Sequence, residues 1–116
     1  MGEPFFGNAT TDHFGRGWVL GSFVEPAGDV RATGDVEVKW SSHPGGSKRP
    51  AWTEEETRTT ASFLVSGHFL IHLSSGTFTL RDPGDYLVWG EGVTHSWEAV
   101  EDSVVMTVRW PSRPAT

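Results

Sequence analysis

The chain has 116 residues, no cysteine and a formal charge of −6. This length supports one hydrophobic core, and the lack of cysteine excludes disulfides, thiolate catalysis and Cys-ligated zinc. Nine Lys and Arg stand against fifteen Asp and Glu without a basic tract, which argues against nucleic acid and anionic membrane surfaces as partners.

No apolar run approaches the ~20 residues of a membrane span. The N-terminal stretch shows no basic segment followed by an apolar one, so no secretory signal and a cytoplasmic location are expected. Fourteen Gly and seven Pro are spread along the chain, among many Val, Thr and Phe and six Trp. This punctuation leaves no room for long helices and predicts an all-β sandwich or barrel. One domain is expected over 1–116, with an N-terminal arm over 1–15 and a loose tail over 111–116.

In chain order, the first predicted strand runs from Gly17 to Val24 and ends at the turn Glu25-Pro-Ala-Gly. Asp35 to Trp40 alternates, with Val36, Val38 and Trp40 on one face and Glu37 and Lys39 on the other. The Gly/Pro/Ser-rich segment Ser41 to Pro50 reads as a loop and carries His43. Trp52 to Ser66 opens with a possible capping box, Thr53 and Glu56, but its threonines and Phe63-Leu-Val favour a strand over a helix. His68 to Leu73 and Thr77 to Leu80 form a hairpin about Ser74-Ser-Gly. Asp85 to Trp89, Thr94 to Val100 and the apolar, central Asp102 to Trp110 complete about eight short strands, the number a jelly roll needs.

The segment Gly84 to His95, GDYLVWGEGVTH, resembles the second motif of the cupin family: a Gly, five residues, Pro, any residue, Gly, two residues and His. Here Gly90 replaces the Pro, Gly92 is the turn glycine and His95 the histidine. Gly67 fits the closing Gly of the first motif. Together with GRGWVLGSF, DVEVKW and HSWEAVEDSVVMTVRWPS, the chain resembles small bacterial single-domain cupins, an RmlC-like jelly-roll barrel group. The resemblance implies that fold and a homodimer. Counting back from Gly67, the family's first-motif Glu falls on Thr60 and its two His fall on Glu56 and Glu54.

Even spacing on one strand would put Glu54, Glu56 and Thr60 on one face, about 7 Å apart for consecutive even positions. With His95 from a neighbouring strand and His43 as a fourth ligand, Glu54 and Glu56 suit a divalent ion such as Fe, Mn, Ni or Zn. Without a metal, His95 and Glu56 suit general acid–base catalysis. Glu54-Glu-Glu is equally a solvated charge run, and His68 and His72 are more simply surface residues. Trp97 shares the face of His95, Trp40 and Trp89 are candidate wall residues, and Arg109 in an apolar strand is either outward-facing or a buried anion anchor. Trp40, Trp89, Trp97 and Arg109 are thus the expected ligand-binding set. Two readings remain open: a divalent-metal-dependent enzyme of oxygenase or isomerase type centred on His95, and a metal-free cupin that binds or senses a small organic molecule.

Overall fold

Turn residues cut the chain into eight strands in the computed structural model, which describes residues 3–53 and 57–112. They are β1 (Trp18–Leu20), β2 (Glu37–His43), β3 (Thr59–Ser66), β4 (Phe69–Leu73), β5 (Gly76–Leu80), β6 (Tyr86–Trp89), β7 (His95–Ala99) and β8 (Ser103–Trp110). All pairings are antiparallel, in a five-stranded sheet ordered β1-β2-β8-β3-β6 and a three-stranded sheet ordered β5-β4-β7. The sheets face each other without closing into one hydrogen-bonded barrel, which is the jelly-roll arrangement. The described residues contain no helix long and apolar enough to cross a membrane.

The strand limits differ from expectation in three places. β1 stops at Leu20; Gly21 makes an isolated bridge to Ala32, and the chain turns at Ser22-Phe23. β2 runs on to His43, which therefore sits on a strand and not in a loop. β3 begins only at Thr59; Thr57 and Arg58 bend, so the alternation expected to align Glu54 and Glu56 with Thr60 does not pass through them. Arg58 instead donates from Nη1 to Glu37 at 2.8 Å. Glu54 and Glu56 themselves lie outside the described residues.

Register stacks the inner face of the large sheet into tiers. One tier is Glu37–Arg109–Thr60–Trp89, the next Lys39–Thr107–Ser62–Leu87, and the next Ser41–Val105–Leu64. The inner faces of β3 and β8 grade from polar to apolar along their length. Leu64, Phe69, Ile71, Leu80, Trp89, Ala99 and Val105 form one buried cluster between the sheets, in which Trp89 reaches in from the polar tier. Fully burying side chains of this size stabilises by ~1.5–3 kcal/mol each.

Two local features hold this frame. Gly67 joins β3 to β4 at φ +105°, and a Cβ there would stand 2.4 Å from the Asp102 carbonyl oxygen. Only glycine tolerates both constraints. Beyond β8, Pro111 ends the strand, yet Ser112, expected in the loose tail, is buried: its Oγ donates to Glu37 at 3.0 Å and accepts the Ser22 N–H at 2.7 Å.

Candidate ligand cavity

The polar half of the space between the sheets is a cavity of about 420 Å³. That falls in the range of small-molecule sites. Its floor is hydroxyl-rich, with Ser41, Thr60, Ser62 and Thr107 from the large sheet. Trp89, Trp97, Phe69 and Ile71 supply the apolar wall, and His43 and His95 face it from the two sheets. Trp18, Arg16, Lys39, Arg49 and Arg109 complete the lining.

β7 sets His95 and Trp97 on one face, as residues two apart on a strand must be. Thr53 fixes His95 from outside the strand. The His95 N–H donates to Thr53 Oγ1 at 3.0 Å, the Thr53 N–H donates to the His95 carbonyl at 2.9 Å, and the hydroxyl lies 3.2 Å from the ring Nδ1. The chain from Gly46 to Thr53 runs along β7: Gly46 N–H donates to Ala99, Arg49 N–H to Trp97, and Ala99 N–H to Ser47, at 2.7 to 2.9 Å. This docking carries Arg49 to the cavity. Trp89 packs on His95 with ring centroids 4.8 Å apart, and Trp97 packs on His43 at 4.4 Å.

His43 Nε2 lies 2.9 Å from Ser41 Oγ. Burial, with the nearby Lys39 charge second, pushes its pKa down to about 4. Its imidazole is therefore neutral at pH 7. Arg109 faces the cavity and not the outside of the sheet. Its Nε and Nη2 donate to Glu37 Oε2 at 2.7 and 2.5 Å, and its guanidinium lies 4.6 Å from the Trp18 ring centroid. Glu37 is 4 % exposed and is also held by Arg58 and Ser112. It thus positions Arg109 by a buried, multiply hydrogen-bonded carboxylate.

The structure brings His43, His95, Trp89, Trp97 and Arg109 to one cavity. Trp40 does not join them, because the phase of β2 is the reverse of the one its valines suggest. Glu37, Lys39, Ser41 and His43 turn inward, and Trp40 lines an adjoining cleft with Ala9, Thr10 and His13 of the N-terminal arm; the cleft shares Arg16, Lys39, Ser41 and His43 with the cavity. Sequence reasoning missed Arg16, Trp18, Lys39, Arg49 and the floor hydroxyls of Ser41, Ser62 and Thr107, while Thr60 was among its candidates. The available signal was the shared phase of Glu37 and Lys39 on β2, which matches Arg109 as a charge partner in an otherwise apolar strand.

Among the described residues no three His, Asp or Glu side chains gather to hold a metal. His43 and His95 are the described nitrogen donors of the expected set, and His43 shares its wall with four cationic side chains and no described carboxylate. Such a lining repels a divalent cation. The described donors therefore do not fit a resident metal. His68 and His72 offer none either: His68 precedes β4, and His72 is engaged by Thr77 at 2.8 Å, with Glu98 3.8 Å away.

No family model matches the sequence, and no curated protein matches it. Solved structures do. KdgF from Halomonas sp. is similar at TM-score 0.63 and 26 % identity, over 70 % of this chain and 74 % of that one. A cupin-2 domain protein from Shewanella frigidimarina is similar at TM-score 0.56 and 22 % identity, over 70 % and 72 %. A cupin protein from Bacteroides fragilis is similar at TM-score 0.58 and 15 % identity, over 71 % and 70 %. With its two antiparallel sheets, its glycine-closed β3–β4 turn and its motif histidine on β7, the chain has the fold of the small cupins.

Proposed function

We propose that this protein binds a small organic molecule between its two sheets, using its own side chains and no resident metal. The observation that carries this reading is the cavity itself: about 420 Å³ lined by tryptophans, two histidines, hydroxyls and cations. An apolar wall with a few convergent polar groups is the general form of a ligand site. Trp89 and Trp97 supply flat contact area, and the hydroxyl floor and His95 orient polar groups. A catalytic reading would pair His95 with Glu56, which lies outside the described residues.

The test is a ligand-detected NMR screen of acids, bases and neutral metabolites against the wild type and Thr107→Phe. Thr107 lines the cavity, so phenylalanine there fills the space. Ligands that bind the wild type and lose at least tenfold in affinity for a folded Thr107→Phe support the reading. Ligands unaffected by the plug place binding elsewhere and contradict it. Elemental analysis of the same wild-type sample should show no near-stoichiometric Fe, Mn, Ni or Zn; a stoichiometric metal would overturn the metal-free half.

A further inference from the structure

Arg16, Lys39, Arg49 and Arg109 all line the one cavity, in a chain with nine Lys and Arg and a charge of −6. No described Asp or Glu lines it. An acidic protein has thus gathered nearly half its basic side chains on a lining that holds no described carboxylate.

The arrangement is held in place. The Trp18 ring carries two of the charges, with Lys39 Nζ 5.4 Å and Arg109 Cζ 4.6 Å from its centroid. Register sets Lys39 opposite Thr107 and Arg109 opposite Glu37, so the two cations come from adjacent tiers of neighbouring strands. Arg49 arrives from the segment docked on β7. Arg109 has Glu37 as its counter-ion. Among the described residues, Arg16, Lys39 and Arg49 form no ion pair. Burial, and then the charges of Arg16, Arg109 and Arg49, hold the Lys39 ammonium below the usual lysine range. Lys39 and Arg109 are half-buried, whereas Arg16 and Arg49 are exposed at the cavity rim; like charges gathered on one lining repel one another until an anion joins them.

If the cavity is the ligand site, as proposed above, its charge identifies the ligand class. We propose that the ligand is a small organic acid with at least two negative charges, held by Arg16, Lys39 and Arg49 beside an Arg109 pre-positioned by Glu37. One carboxylate satisfies one guanidinium fork or one ammonium with good geometry; several unpaired cations call for more than one. The organic part follows from the rest of the lining. Inorganic phosphate would leave Trp89 and Trp97 without contact in a space of about 420 Å³.

The experiment is calorimetric titration with acetate, succinate, citrate, inorganic phosphate and neutral erythritol at fixed ionic strength. It compares the wild type with Lys39→Met, which keeps the alkyl stem over Trp18, and with Arg49→Gln. The expected result is affinity rising from acetate through succinate to citrate, with citrate at least tenfold weaker in each variant. Affinity that ignores ligand charge, or that survives both substitutions, overturns the proposal. Phosphate binding as tightly as citrate overturns its organic part. Erythritol binding that both variants retain and Thr107→Phe abolishes refutes the anion class while leaving the cavity reading intact. Wild-type protein that binds none of the five compounds, and nothing in the NMR screen, refutes both.

Discussion

At Glu37, one buried carboxylate organises three other side chains. Arg58, Arg109 and Ser112 all donate to it, so its negative charge is matched within the fold. Removing one member of such a cluster leaves buried charge uncompensated, which costs ~3–5 kcal/mol. Glu37→Gln should therefore lower the unfolding free energy by about 3 kcal/mol in urea titrations, and a change below about 1 kcal/mol would contradict this role. His43 makes a second, pH-dependent contribution. Its folded pKa of about 4 lies below the ordinary histidine value of 6.5. The unfolded chain thus binds the proton first, and stability rises with pH across that window. The contribution is complete above pH 6.5, falls as pH drops toward 4, and levels off below. Solvent screening of the half-buried ring limits it to about 2 kcal/mol. Urea unfolding of wild type and His43→Gln at pH 8, 6 and 4 should show the two stability curves converging as the pH falls. Parallel curves would contradict a neutral, buried His43.

At the scale of the strand, the informative failure is β2. Its alternation was visible, but the apolar-inward rule assigned it the wrong face. That rule assumes the interior is all core. Here the interior is half cavity, and the inward positions are Glu37, Lys39, Ser41 and His43. The β3–β4 junction was better marked, because Gly67 is needed for both its backbone angle and its close approach to Asp102. Gly67→Ala should destabilise by more than ~1 kcal/mol, seen as a lower urea midpoint with an unchanged slope. An unaltered midpoint would show that the turn relaxes freely. All eight strands were legible, because Gly and Pro turns bound short β-branched and aromatic runs. Their ends were less so: β3 starts late because Arg58 turns away to Glu37, a partner remote in sequence.

Across the whole molecule, the jelly roll separates two environments. One end packs Leu64, Ile71 and Val105 almost completely out of solvent, and the other keeps a hydroxyl and cation-lined space. His95, Trp97 and Trp89 were legible because a local motif and strand phase place them together. Arg16, Lys39 and Arg49 were not, because they reach the cavity from a turn, from an inverted strand phase and from a segment whose docking on β7 is non-local. The central claim is that the space between the sheets is the binding site, and the tryptophans report on it directly. Of the six Trp, Trp18, Trp89 and Trp97 line the cavity, and Trp40, Trp52 and Trp110 do not. The decisive measurement is a titration of ¹⁵N-labelled protein with citrate, followed through the six indole N–H resonances. Saturable shifts confined to Trp18, Trp89 and Trp97 are the predicted result. Shifts confined to Trp40, Trp52 or Trp110, or no saturable shift with citrate or any ligand from the NMR screen, would contradict the account.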